Sequence, residues 1–407
     1  MRISIIDPSL FTLPYDRALL CGLQGNGHDV TLHGRRAGAD DNATLGANLA
    51  VDFYRLSNNR IVSALPSALR LGIKGVDHAW SMRALLRRLR RERPDVIHFQ
   101  WLALPLVDQM TLDALAQIAP LVLTVHDTDP FNSAPSSRLQ SLGYQNCLSK
   151  FTRLIVHTKQ GQARLLALGI APERLVVLPH GLLTERVAGP ADPMTGKLTF
   201  TLFGKIKPYK GADLLIQAFA SLPKAVRDQA QIRIVGKPYM DLAPLHEMAA
   251  ALGVADGISF EPRFVRDEEV DALFGPGIVA VFPYREIEAS GVLFLALACG
   301  RPVVASRLGS FGETLVDGSE GHLVPPDDVA ALSQAMAHLI VDREFAAECA
   351  NQSRLRAALV PRWPDIARGT EAVYRAAGAK VGQRATPFVP ASAAMGLAER
   401  SISAAAP

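Results

Sequence analysis

Three lysines are crowded into Phe203-Gly204-Lys205-Ile206-Lys207-Pro208-Tyr209-Lys210-Gly211, directly after an apolar run and directly before a helical pattern. A strand on one side and a helix on the other would deliver this turn to a helix start. Unpaired amides and the positive end of the helix dipole attract anions there. Gly204 lets a ligand approach the main chain closely. Binding of a diphosphate is the chemistry that suits such a segment; the plain alternative is a surface turn with solvated lysines. It is not a Walker loop, because the Gly-Lys-Ser/Thr ending is missing.

Three further segments carry chemistry. Pro283-Tyr284-Arg285-Glu286-Ile287-Glu288-Ala289-Ser290-Gly291-Val292-Leu293 leaves a strand and enters an apolar helix, Leu293 to Cys299. Ligands of open α/β sheets bind at that edge. The amides of Ser290, Gly291, Val292 and Leu293 could face a phosphate, and Glu286 or Glu288 could accept bonds from sugar or ribose hydroxyls. The alternative is a capped core helix with solvated glutamates. Leu121 to Val125 ends in His126-Asp127-Thr128-Asp129, side chains that can act as a general base or bind a sugar hydroxyl. Ser81 to Arg93 sets Arg83, Arg87, Arg88, Arg90, Arg91 and Arg93 against Met82, Leu85, Leu86 and Leu89. This is a basic amphipathic helix. Its Leu face suits a sheet, and its arginines suit an anionic lipid surface at about 1 kcal/mol per basic residue.

The elements that must position these residues alternate. Strands are expected at Arg2–Ile6, Asp29–Leu32, Asp95–Phe99, Leu121–Val125, Leu154–His157 and Leu175–Leu178, with a helix over Tyr15–Asn26. The same grammar restarts after the turn-rich stretch Gly189 to Gly196. Strands then fall at Leu198–Phe203, Gln231–Val235, Gly257–Phe260, Ile278–Phe282 and Pro302–Ser306, with a helix over Ala212–Ala220. Buried strands alternating with helices imply parallel sheets covered on both faces. The reading is an α/β chain of two Rossmann-like domains, residues 1–180 and 181–362, with a boundary in 180–196. A helix over 363–380 returns to the first domain, and an Ala/Pro/Ser-rich tail, 381–407, is expected to be disordered.

The chain has 407 residues and a net charge of only +4, which does not suit a bulk nucleic-acid binder. Its four cysteines show no paired spacing, and no apolar run reaches the roughly 18 residues of a membrane span. Met1 to Asp7 lacks the pattern of a signal peptide. A cytoplasmic protein is expected, with membrane contact limited to the surface of the inner face. There is no HExxH or Ser-His-Asp pattern, and no GxGxxG follows the first strand, where Asp7-Pro8-Ser9-Leu10-Phe11 stands instead. Hydrolases and dinucleotide dehydrogenases therefore lack support.

Taken in order, several motifs resemble glycosyltransferase family 4, which has the GT-B fold. Thr124-Val125-His126-Asp127, Leu178-Pro179-His180-Gly181, Phe203-Gly204-Lys205 with Lys210-Gly211, Ala298-Cys299-Gly300-Arg301-Pro302-Val303-Val304-Ala305-Ser306, and Gly318 with Gly321, Leu323 and Val324 carry the likeness. It spans about residues 1–378. The resemblance implies two domains facing across a cleft and transfer of a hexose from a nucleotide-diphosphate sugar, of the GDP-mannose or UDP-glucose type. The acceptor would be a sugar hydroxyl of a glycan or lipid-linked oligosaccharide. It implies that Lys205 and Lys210 grip the diphosphate with the amides of Ser290 to Leu293, and that His126 sits over the transferred sugar. No metal and no cofactor beyond the co-substrate are expected.

Two departures stand out. Anchored on Gly300, the family's pair of glutamates falls on Ile287 and Leu295, so the second carboxylate is missing and Glu288 would cover the first by a one-residue shift. The family's glycine-rich loop after the first strand is absent as well. These departures resemble exopolysaccharide transferases such as the inverting family 94. An inverting enzyme needs a general base, for which Asp16, His126, Asp127 and Asp129 are candidates. A catalytically silent sugar-nucleotide scaffold, a phosphorylase and a nucleotide-sugar epimerase are the rival readings.

Overall fold

A computed structural model describes residues 1–38, 48–57, 66–128, 142–182, 194–266 and 269–379. The stretch 183–193, most of the expected linker, Asp129 and the tail 381–407 lie outside the described residues. Two all-parallel sheets organise the chain. The first holds seven strands: β1 (Arg2–Ile6), β2 (Asp29–Arg35), β3 (Leu49–Phe53), β4 (Val96–Phe99), β5 (Leu121–Val125), β6 (Arg153–Val156) and β7 (Leu175–Val177). Its spatial order is β3-β2-β1-β4-β5-β6-β7. The second holds six: β8 (Leu198–Phe203), β9 (Ala230–Val235), β10 (Ile258–Glu261), β11 (Ile278–Phe282), β12 (Val303–Ser306) and β13 (Gly321–Val324), in the order β10-β9-β8-β11-β12-β13.

Both orders reverse direction once, between β1 and β4 and between β8 and β11. At such a switch point the loops leave the carboxyl edge in opposite directions and open a crevice. Both crevices are lined by segments singled out above. Strand interiors such as β5 and β11 are buried at every position, as sheets covered on both faces require.

Six helices position the site. They are α1 (Leu13–Gly25), α2 (Ser67–Glu92), α3 (Lys159–Ala167), α4 (Ala212–Ala220), α5 (Gly291–Ala298) and α6 (Trp363–Ala376). α6 packs along α1, where Gly22 leaves no room for a side chain: a Cβ there would lie 2.9 Å from both the Trp363 carbonyl oxygen and Ala367 Cβ. The Trp363 indole N–H donates to the Leu182 carbonyl. The last described helix thus returns to the first sheet.

Two sequence expectations change. The arginine-rich helix starts at Ser67, a turn and more before Gly72, not at Ser81. Gly72, Gly75 and Asp77 interrupt the apolar stripe that would have revealed its first half. β3 was not anticipated, because Leu49–Phe53 has a charge in its alternation and pairs only at the sheet edge.

Candidate active site

The lysine segment leaves β8 at its carboxyl edge. Gly204 adopts φ +113°, and a Cβ there would sit 2.8 Å from Lys210 Nζ. Glycine therefore lets the ammonium lie against the strand end, where it donates to the Phe203 carbonyl at 3.4 Å. Gly211, at φ +68°, ends the turn; a Cβ would come within 2.0 Å of the Pro283 carbonyl oxygen. That contact ties the β8 turn to the β11 turn across the switch point. Lys210 Nζ also lies 4.9 Å from the centre of the buried Tyr284 ring. Burial, together with Lys205 and Lys207, pushes the Lys210 ammonium down to about 7. Lys205 reaches solvent at the cleft mouth, yet desolvation and Lys207 lower it too. A buried ammonium beside two further cations is costly unless an anion joins it.

α5 begins at the same edge. Ser290 precedes its first turn with extended backbone, and its side chain makes no capping bond. The start of α5 lies beside the lysines, since the Gly204 Cβ position is 3.7 Å from Val292 Cγ2. Leu295 lies in α5, packed against the surrounding apolar core.

Glu288 is almost fully buried and turned to the other half of the molecule. Its carboxylate accepts from the Thr128 amide at 3.0 Å, from the Thr128 hydroxyl, and from Arg164 Nη1 at 2.9 Å. Two neighbouring contacts also join the halves. Glu313 accepts from the amides of Lys159 and Gln160 at the start of α3, each at 2.9 Å, and the Gly309 amide donates to Gln160 Oε1 at 2.7 Å.

The first sheet contributes a set of rings. Tyr15 on α1 touches His126 at 4.8 Å between centroids, edge to face, and also meets His157, His180 and Trp363 within 5.3 Å. His126 Nε2 is 3.0 Å from Gln100 Oε1, and its Nδ1 is 3.2 Å from His157 Nε2. Burial holds His126 well below the usual histidine range, and puts His157 at about 4 and His180 at about 3. Phe11 stacks on Trp101 at 4.8 Å, and Lys205 Nζ of the other half lies 4.0 Å from the Phe11 ring centre. The two crevices therefore face each other. Asp127 is half-buried, and its charge acts on Lys207 and Tyr209 across the cleft.

Asp16 is brought beside Asp7 instead of into the cleft. Both are buried, and Thr12 Oγ1 lies 3.3 Å from a carboxylate oxygen of each. Asp7 also accepts from the amides of Ser9 and Thr12, at 3.2 and 3.0 Å. Burial and the Asp7 charge push Asp16 well up, so Asp16 is the member that keeps a proton. The sequence reading missed Phe11, Trp101, Gln100 and His157, which no motif marked.

Among the arginines of α2, Arg88 turns inward to Asp52 at 3.3 Å and Glu92 at 2.7 Å. It is spent on its own fold and does not belong to the outward row, which is Arg83, Arg87, Arg90 and Arg91. Among the described residues no group of three or more His, Cys, Asp or Glu side chains could hold a metal, and no helix is long and apolar enough to cross a membrane.

Two Rossmann-like sheets with facing switch-point crevices, one lined with lysines, are the architecture of the GT-B fold. Residues 14–181 match the family described as "Glycosyl transferase 4-like domain", and residues 197–342 the family described as "Glycosyl transferases group 1". The chain belongs to this group 1, family-4-like class of glycosyltransferases, which use nucleotide-sugar donors. It is 29% identical over 340 residues to a D-inositol 3-phosphate glycosyltransferase of Geodermatophilus obscurus, covering 75% of this chain and 72% of that one. It is 34% identical over 186 residues to a GDP-mannose-dependent alpha-(1-6)-phosphatidylinositol monomannoside mannosyltransferase of Mycolicibacterium smegmatis, covering 42% of this chain and 48% of that one. In fold it is similar to the Anabaena protein HepE, solved with UDP and glucose, at TM-score 0.69 and 17% identity, over 92% of this chain and 99% of that one.

Proposed function

We propose that the enzyme moves a hexose from a nucleoside-diphosphate sugar, of the GDP-mannose or UDP-glucose type, to a sugar hydroxyl of a lipid-linked glycan in envelope or exopolysaccharide assembly. One observation carries the donor side: Lys210, buried against the β8 end with Lys205 and Lys207 beside it, is a cation cluster that only an anion completes. As the glycosidic bond breaks, charge builds on the leaving diphosphate. Lys205, Lys210 and the amides at the start of α5 stabilise it where it develops. The transferred sugar lies toward His126, and Asp127 is the base candidate that reaches the cleft. Asp16 is not, being walled in with Asp7. Glu288 acts by holding the two halves together.

The acceptor reading rests on α2. Arg83, Arg87, Arg90 and Arg91 occupy the outer face of its second half, and the same face of its first half carries exposed Leu69, Val76 and Trp80. An apolar patch continuous with a basic one suits the surface of an anionic bilayer. The mannosyltransferase relative, named for a phosphatidylinositol monomannoside, agrees with a lipid-linked acceptor.

The deciding experiment is a screen of sugar nucleotides against lipid-linked acceptors, reading nucleoside diphosphate release and then the anomeric linkage by NMR. Acceptor-dependent release that persists in EDTA is expected. Donor binding with no transfer to any acceptor would favour a silent scaffold. Release restored only by added manganese would remove the lysines from the leaving-group role.

A further inference from the structure

We propose that Gln100 and His157 are positioning residues that hold His126 as its neutral tautomer with hydrogen on Nδ1 and a bare Nε2. The chain of bonds has one fixed end. The Leu178 carbonyl oxygen can only accept, so His157 Nδ1, 2.9 Å away, carries a hydrogen. A neutral His157 then has a bare Nε2, which faces His126 Nδ1 at 3.2 Å. His126 Nδ1 must donate, and its Nε2 becomes an acceptor 3.0 Å from the Gln100 amide. As oriented, Gln100 offers its oxygen to that lone pair, while its amide nitrogen is buried without a partner. Turning the amide over places a donor against His126 Nε2 and exchanges an orphaned donor for an orphaned acceptor, the milder of the two.

The surroundings keep the rings neutral. The titratable groups facing His126 are His98 at the end of β4, His157 after β6, His180 after β7 and Tyr15 on α1. His157, His180 and His98 each disfavour charge on His126, and Gln100 is fully buried. Rotation of the His126 ring therefore breaks its bond to His157, and protonation at Nε2 would turn the Gln100 amide back and leave its nitrogen without a partner. The fixed ring anchors the turn 126–128, whose Thr128 meets Glu288 of the other half. Only the catalytic consequence rests on the proposed transfer reaction.

The first test needs no turnover. Nitrogen-15 NMR of the histidine rings should show His126 protonated at Nδ1 and bare at Nε2 at about pH 7.5. An Nε2–H tautomer or an imidazolium would overturn the proposal. Variants then test function. His157→Gln keeps an acceptor for the His126 hydrogen, whereas His157→Leu removes it. Turnover should fall about ten- to a hundredfold in the leucine variant, as for an unpaired buried donor, and return to within about threefold in the glutamine variant. Donor KM should hold in both. Gln100→Glu offers only acceptors, so it should draw a proton onto His126, visible as a raised ring pKa and an altered pH–rate profile. Equal losses in both His157 variants, with the His126 tautomer unchanged, would mean a merely structural role and refute positioning. A locked Nδ1–H tautomer with no transfer from any donor would instead count against the transfer reading alone.

Discussion

Donor binding should take up a proton, because Lys210 is poised at about 7 in the free enzyme. At pH 8 only about a tenth of the free protein carries the Lys210 ammonium, and at pH 6 about nine tenths does, from the ordinary titration of a single group. A diphosphate beside it favours the charged form and moves its pKa back toward the ordinary lysine value near about 10.5. Binding should then absorb about 0.9 proton at pH 8 and about 0.1 at pH 6, and affinity should weaken about tenfold per pH unit above 7, roughly 1.4 kcal/mol each. The sign follows from linkage: the bound form holds the proton more tightly, so high pH opposes binding. Without donor, the folded-state pKa lies below the unfolded one. The contribution of Lys210 to stability therefore rises with pH between about 7 and about 10.5. An intact sugar nucleotide is the right probe, since a free diphosphate titrates on its own terminal phosphate near about 6. Calorimetry at pH 8 in two buffers of different ionisation heat counts the protons. Binding that is intact in the wild type with uptake below about 0.3, or uptake that persists in Lys210→Met, would refute the assignment.

Three other outcomes test the same architecture. Phe11 covers Lys205 through a cation–π contact of about 0.5–1 kcal/mol, so Phe11→Ala should bind sugar nucleotide about two- to fivefold more tightly by calorimetry; weaker binding would make Phe11 part of the donor site. Gly211→Ala must both adopt a left-handed backbone and displace the Pro283 carbonyl, so it should cost more than about 2 kcal/mol in urea denaturation; a loss below about 0.5 kcal/mol would show that the two turns are not locked. Replacing Arg83, Arg87, Arg90 and Arg91 by glutamine should release the protein from anionic vesicles, at about 1 kcal/mol per charge, while Arg88→Gln should matter less for vesicles and more for stability; equal sedimentation of wild type with neutral and anionic vesicles would remove the membrane reading.

The proposed donor side was legible because it is local: residues 203–211 hold the strand end, the glycine that admits Lys210, the lysines and the helix start. The ring cluster of the first sheet was not. Its parts come from Phe11 after β1, Gln100 and Trp101 after β4, His126 after β5, His157 after β6 and His180 after β7, and only the fold gathers them. Asp16 illustrates the cost of reading types without partners. Its position near a strand end suggested a base, yet Thr12 and Asp7 bury it. The helix over 363–376 was legible because its period is strong, and the arginine helix only in its second half, where the leucines recur.

Glu288 shows how the two sides depend on each other. Sequence register made it a substitute for a donor-site carboxylate, since it stands one residue from the family's position. Both of its oxygens instead bind groups of the first sheet's half, a main-chain amide and a hydroxyl at Thr128 and a guanidinium at Arg164. The nearby contacts of Glu313, Gln160 and Lys205 are also polar or charged. Interfaces of this kind within one chain are prone to relative motion, unlike large apolar ones. The carboxylate that sequence register placed at the donor site is thus one that ties the two halves together.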